Sequence, residues 1–167
     1  MLHTQAEELI AGGVKELIHV GYAGGLQPEL VPGEIILTDG AFNDTAVARL
    51  YGYDYDIIHS SKDLTNEIEE MITSAEILYK RGLHWTTDAG YRETWGQVMD
   101  YRDKGALCVE MEGVGLFTIA NYRKCVATGI YVVSDVYLED DWKLGWEGND
   151  IKKAVGEIID MIIKSIR

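Results

Sequence analysis

Val109-Glu110-Met111-Glu112 closes one apolar stretch, and Thr128-Gly129-Ile130-Tyr131-Val132-Val133-Ser134-Asp135 forms a second that ends in an acid. Both stretches place carboxylates directly after residues typical of buried strands. A buried carboxylate loses hydration, which is costly unless the group is paired or binds a ligand. The two stretches therefore predict a functional site at strand ends, with Glu110, Glu112 and Asp135 as its acidic side chains.

Outward from these stretches, apolar periodicity predicts helices that alternate with strands. Helices are predicted at 4–11, 63–81, within 92–104, at 113–121 and at 151–166, and strands at 16–20, 35–38, 84–87, 106–109 and 124–133. The Asp- and Tyr-rich stretch 41–61 is predicted to be an irregular loop. The alternation predicts one α/β domain over residues 1–167 with a largely parallel sheet.

Composition excludes several classes of protein. The net charge is −13, from 15 basic and 28 acidic side chains, which opposes binding to nucleic acid or to an anionic membrane surface. Cys108 and Cys125 lie in or beside apolar runs, as expected of buried free thiols in a reducing compartment. No Cys/His cluster has the spacing of a metal site, and no signal peptide or membrane-spanning run is present. A cytoplasmic protein without a metal is predicted.

Taken together, five segments in this order resemble the nucleoside phosphorylase superfamily, which holds uridine and bacterial purine nucleoside phosphorylases and methylthioadenosine/adenosylhomocysteine nucleosidases. The segments are Gly21-Tyr22-Ala23-Gly24-Gly25-Leu26, Val31-Pro32-Gly33-Glu34-Ile35-Ile36-Leu37, Thr86-Thr87-Asp88-Ala89-Gly90-Tyr91, Val109-Glu110-Met111-Glu112 and Val133-Ser134-Asp135. The resemblance implies a three-layer α/β sandwich around a mixed, distorted β-sheet. An α/β domain of this kind normally opens with a strand, whereas this chain opens with a helix, so we expect its N-terminal part to be missing. A fragment, a shortened reading frame and a degenerate member remain alternatives.

The resemblance also implies cleavage of the N-glycosidic bond of a nucleoside. Asp135 would protonate or hydrogen-bond the leaving base, and Glu112 would hold the ribose hydroxyls. The remaining implied substrate-binding residues are Met111, Glu110, Gly21, Tyr22, Ala23, Gly90, Tyr91 and Arg92. Gly90 stands where many members stack a phenylalanine on the base. No organic cofactor is implied, and the expected assembly is a homo-oligomer in which a neighbour completes each site.

The nucleophile is left open by the sequence. His19 stands where the phosphorylases carry an arginine that grips phosphate, and Tyr22 stands where they carry Thr or Ser. Arginine binds phosphate with two charged hydrogen bonds, which a neutral histidine does not provide. The resemblance implies phosphate as the co-substrate, but the missing arginine makes water, as in the nucleosidases, an alternative nucleophile. A non-catalytic nucleoside-binding member is a second hypothesis. Each acid also has a simpler explanation, because Glu110 and Glu112 could begin a helix and Asp135 could cap one.

Overall fold

The computed structural model describes residues 2–138, 142–145 and 148–165, with the side chains of 142–144 outside the described set. Its helices are α1 (Leu2–Ala11), α2 (Val47–Leu50), α3 (Lys62–Ser74), α4 (Trp95–Asp103), α5 (Gly113–Arg123) and α6 (Asn149–Ser165). Its strands are β1 (Glu16–Gly25), β2 (Ile35–Asp44), β3 (Ile57–His59), β4 (Tyr79–Thr87), β5 (Cys108–Glu110), β6 (Val126–Tyr137) and β7 (Trp142–Leu144).

The strands form a mixed sheet in the order β3-β2-β4-β5-β1-β6-β7, with a further pairing between β2 and β6. Strands β1 and β6, β2 and β4, and β4 and β5 run parallel. The pairs β1–β5, β2–β3, β2–β6 and β6–β7 run antiparallel. The two longest ladders, β1–β6 and β2–β4, are parallel as the alternation predicts, whereas β6 pairs antiparallel with β2, so the sheet is mixed.

Helices cover both faces of this sheet. Helices α1 and α5 pack with Ala41 and Ala127 in one apolar cluster. Helices α3 and α6 pack with Ile35 and Ile130 in another. Successive residues of a strand face opposite sides, so β6 contributes Ala127 to one cluster and Ile130 to the other. On β2 the register shift between Thr38 and Gly40 places Ala41 on the face opposite Ile35. The result is three layers, with helix, sheet and helix.

One predicted helix is too long, and one predicted loop contains regular secondary structure. The helix predicted at 63–81 ends at Ser74 in the structure, and Tyr79 already pairs with Ile35 in the parallel β2–β4 ladder. Glu76, with a φ of 56°, makes the turn between them. The stretch 41–61 is not an irregular loop, since β2 continues to Asp44 and helix α2 and strand β3 follow. In both places pairing with a distant strand outweighs the local pattern.

Strands β1 and β6 also extend beyond their predicted ends, and this extension positions the site. The parallel register continues past a bulge between Ala23 and Gly24 until Gly25 pairs with Val136. The predicted helices 4–11, 113–121 and 151–166 correspond to α1, α5 and α6 within a few residues. Among the described residues, no helix is long and apolar enough to cross a membrane.

Candidate active site

Asp135 lies near the end of β6 with only 5% of its surface exposed. The Ser134 hydroxyl lies 2.5 Å from its Oδ1 and donates to it. Gly24 is its register partner on β1, and a Cβ atom there would lie 3.3 Å from Oδ2 and 3.1 Å from the ring of Tyr137. The glycine thus allows the backbone of β1 to approach the carboxylate closely.

Glu110 fixes the turn between β5 and α5. Its Oε2 accepts hydrogen bonds from the backbone N–H groups of Glu112 and Gly113, each 2.8 Å long. Its Oε1 accepts a hydrogen bond from Thr86 and lies 3.0 Å from Nε2 of His84. The structure therefore places the Glu110 carboxylate in the interior, where it supports the turn rather than facing solvent.

Electrostatics keeps this interior carboxylate ionised. Burial by itself raises the pKa of Glu110, because the charged form loses hydration. The hydrogen bonds from His84, Thr86 and the Glu112 backbone, together with the charge of His84, outweigh that effect and leave the pKa lowered. A buried anion is thus stabilised beneath the turn that carries Met111 and Glu112.

The turn presents the next two residues towards the surface. Met111 is 44% exposed, and Glu112 is half-buried at the N-cap of α5. Gly90 belongs to a short 3₁₀ turn, Gly90–Arg92, and a Cβ atom there would lie 3.5 Å from the Met111 sulfur. The structure therefore brings together Met111 and Gly90, which the resemblance assigned to the sugar and to the base.

The other residues of the Gly90 turn are placed differently. Tyr91 is fully exposed and Arg92 is exposed.

On β1, Ala23 is buried, and its carbonyl oxygen lies 3.2 Å from the Ser134 hydroxyl. The contacts of Tyr91, Arg92 and Ala23 with a nucleoside stay predictions.

His19 lies away from the Asp135 end of β1. Its Nδ1 is 3.4 Å from the Tyr131 hydroxyl, and its ring would lie 3.3 Å from a Cβ atom at Gly21. It also lines a mainly apolar groove of about 600 Å³ between α1, β1 and α5. Burial lowers the pKa of His19, against the opposing charges of Glu110 and Glu112. The imidazole is therefore predominantly neutral at pH 7. Tyr22, three positions further along β1, is exposed.

The sequence analysis missed two residues near Asp135, Tyr137 and Glu93. The hydroxyl of Tyr137 donates a 2.7 Å hydrogen bond to Oε2 of Glu93. Tyr137 follows Asp135 by two positions in β6, so strand alternation places both side chains on one face of the sheet. Had the strand been predicted as far as Tyr137, this alternation would have indicated Tyr137 as a neighbour of the site. Glu93 precedes the capping box of α4 and had no sequence signal.

A metal site is not suggested by the described part of the chain. No group of three or more His, Cys, Asp or Glu side chains within it could hold a metal ion. Both cysteines are free and buried. The chemistry available at the site is that of carboxylates, a phenol, a thioether and backbone groups.

The helix-sheet-helix layering and the carboxylates at the ends of β5 and β6 define a mixed-sheet α/β protein with an acidic site at its strand ends. A family model described as the phosphorylase superfamily matches residues 2–164. The chain belongs to the phosphorylase superfamily, which confirms the resemblance inferred from the five segments.

Curated relatives include two bacterial proteins named purine nucleoside phosphorylase DeoD-type. The protein from Exiguobacterium sibiricum is 34% identical over 133 residues, which are 78% of this chain and 56% of the relative. The protein from Bacillus cytotoxicus is 32% identical over 124 residues, which are 74% of this chain and 53% of the relative. The chain thus spans just over half the length of these relatives.

Solved structures share the fold. Purine nucleoside phosphorylase from Toxoplasma gondii in complex with immucillin-H superposes with a TM-score of 0.85 at 20% identity, covering 96% of this chain and 66% of that one. The P. knowlesi homologue of P. falciparum PNP superposes with a TM-score of 0.82 at 22% identity, covering 98% of this chain and 65% of that one. The three-layer mixed-sheet sandwich implied by the resemblance is confirmed.

Proposed function

We propose that this protein cleaves the N-glycosidic bond of a nucleoside, by phosphorolysis to a free base and ribose 1-phosphate or by hydrolysis. The observation that carries the proposal is the buried Asp135 carboxylate near the end of β6. It accepts a hydrogen bond from Ser134, and Gly24 and Tyr137 lie beside it. The names of the bacterial relatives support the same chemistry. The base is proposed to be a purine.

The reaction breaks the bond between C1′ of the sugar and a ring nitrogen of the base. The electron pair leaves with the base, and the sugar acquires oxocarbenium character. As a general acid, Asp135 would give a proton or a hydrogen bond to the departing base, which favours that charge separation. An oxygen of phosphate or of water then forms the new bond to C1′.

The remaining roles follow the placement of the residues. Glu112 would accept hydrogen bonds from two adjacent ribose hydroxyls, since a carboxylate has two acceptor oxygens. Met111 would pack against the apolar face of the sugar or base. The loop residues Gly21, Tyr22 and Ala23 would line the sugar and nucleophile side, and the turn Gly90–Arg92 would wall the base.

Of the proposed site residues, those on the nucleophile side match a phosphorylase least well. A neutral His19 offers one N–H where an arginine offers a charged fork, and its ring is engaged near Tyr131. This observation favours water, and it also favours the alternative of a binding protein without turnover. A homo-oligomer, in which a neighbour completes each site, is proposed from the family resemblance. Phosphate remains the proposed co-substrate where such a neighbour supplies a cation. The two buried free thiols support a cytoplasmic location.

Free-base release, followed by chromatography, tests this proposal. The substrates are adenosine, inosine, guanosine, uridine and methylthioadenosine, each with and without phosphate. Release that requires phosphate identifies a phosphorylase, and release without phosphate identifies a hydrolase. Nucleoside binding by calorimetry without any release would contradict catalysis and establish the binding protein, and light scattering of the same sample gives the oligomeric state.

A further inference from the structure

Glu93 is held rigidly between two local structures. It follows the turn Gly90–Arg92 and precedes Thr94, whose side chain and that of Gln97 form a reciprocal capping box at the start of α4. Helix α4 is in turn tied to the site strand, because the Arg102 guanidinium donates hydrogen bonds to the carbonyl oxygens of Leu26 and Tyr137. The position of the Glu93 backbone is therefore set by structure rather than by a free loop.

The two oxygens of Glu93 face the two halves of the candidate site. Oε2 accepts the hydrogen bond from Tyr137, which shares a face of β6 with Asp135. Oε1 lies 3.4 Å from where a Cβ atom of Gly90 would stand, and the Met111 sulfur lies 3.5 Å from the same point. A half-buried carboxylate thus lies between the proposed acid and the proposed sugar and base contacts.

Glu93 and Met111 border the position of Gly90. A Cβ atom there would be in ordinary van der Waals contact with Oε1 of Glu93 and with the Met111 sulfur. The chain therefore places a charged acceptor beside the turn that is proposed to wall the base. Burial raises the pKa of Glu93, the hydrogen bond from Tyr137 lowers it, and the charge of Asp135 raises it further. This partial desolvation strengthens any hydrogen bond that the group makes to a ligand.

We propose that Glu93 is a specificity-determining residue that accepts an N–H from the base and selects 6-aminopurine over 6-oxopurine nucleosides. This inference rests on the proposed nucleoside site. Asp135 would bond the N7 of a purine, and the 6-substituent is the next group on that edge. An ionised carboxylate only accepts hydrogen bonds, so it is complementary to a 6-amino group and repels a 6-oxo oxygen.

The test compares kcat/KM for adenosine and inosine in the wild type, Glu93→Gln and Tyr137→Phe. The wild type should favour adenosine by about tenfold or more, since an unmatched buried acceptor is strongly penalised. Glu93→Gln should bring the ratio towards one, because a glutamine amide can face either substituent. Tyr137→Phe frees Oε2 and should also change the ratio, which gives a second measure should the first variant fold poorly. Glu70→Gln, the same change at an exposed carboxylate of α3, should leave the ratio unchanged.

The outcomes separate this inference from the proposed function. Cleavage by the wild type with a preference for inosine, or with a ratio that Glu93→Gln leaves unchanged, overturns the role of Glu93 and leaves the activity standing. If the wild type cleaves no nucleoside, calorimetry compares the binding of adenine and hypoxanthine and so tests the role of Glu93 without turnover. Tighter binding of adenine that Glu93→Gln removes supports base selection in a protein without turnover, and equal or absent binding overturns it.

Discussion

Nε2 of His84 lies 3.0 Å from Oε1 of Glu110, and both side chains are almost completely buried. Nδ1 of His84 lies 2.6 Å from the Thr38 hydroxyl, which also lies 2.8 Å from the carbonyl oxygen of Gly40. The hydroxyl hydrogen of Thr86 is used by Oε1 of Glu110. His84, Thr86 and Glu110 therefore form one buried hydrogen-bond network, with His84 and the ionised Glu110 as its central pair.

Removing the carboxylate of this pair should be costly. We expect Glu110→Ala to lower the free energy of unfolding by about 3–5 kcal/mol, because it leaves the buried His84 ring, the Thr86 hydroxyl and two backbone N–H groups without their acceptor. Glu110→Gln should lower the free energy of unfolding by less, since the amide oxygen can still accept the backbone N–H groups of Glu112 and Gly113. Urea denaturation measures both values. Glu70→Ala on the exposed face of α3 is the control, and a Glu110→Ala protein as stable as that control would contradict the supporting role of Glu110.

The same pair should make stability depend on pH at the acid end. The pKa of Glu110 is lower in the folded than in the unfolded state, so the unfolded state binds the proton more readily. The stabilisation is therefore present above the unfolded pKa of about 4.3 and is lost as the pH falls through the folded value. Urea midpoints at a series of pH values from neutral to acidic should fall more steeply for the wild type than for Glu110→Gln. Parallel curves for the two proteins would argue against this sign.

Asp135→Asn tests the proposed acid with little change in shape. The asparagine oxygen can still accept the Ser134 hydrogen bond, so the thermal melting temperature should change little. Loss of the acid should lower kcat for base release by about 10²–10⁴-fold, the usual contribution of a general acid. Chromatographic base release measures the effect. An Asp135→Asn protein that keeps the wild-type kcat would remove Asp135 from the reaction.

Gly113 should not tolerate a side chain. A Cβ atom there would lie 2.6 Å from Nε2 of His84, 2.9 Å from the Tyr131 hydroxyl and 3.0 Å from Oε1 of Glu110. We expect Gly113→Ala to destabilise the fold by about 1–3 kcal/mol, as overpacking usually does. Gly156→Ala is the matched control, because that glycine in α6 has open space around it and alanine favours a helix by about 0.5–1 kcal/mol. Opposite signs in urea denaturation are expected, and equal effects would contradict the packing argument.

Much of the fold followed from local patterns. The apolar stripe of α6 and the apolar run of α5 predicted those helices, because a helix forms its hydrogen bonds within itself and its burial pattern is written in adjacent residues. The runs before Glu110 and Asp135 predicted buried strands in the same way. The ordered set of motifs identified the family, which its matching family model confirmed. The roles of the motif residues stay predictions.

Pairing between distant segments could not be read from those patterns. Residues 75–81 continue a helical pattern, yet Tyr79 joins β2, because a strand is stabilised by a partner far along the chain. Residues 84 and 110 meet although 26 positions separate them, as do residues 93 and 137 across 44 positions. The sequence by itself determined the apolar segments that precede Glu110 and Asp135 and the amphipathic helix at the end of the chain. The tertiary structure alone decided which acid is an interior support, Glu110, and which acids border the site, Asp135 and Glu93, because only the packed sheet sets the neighbours of each carboxylate.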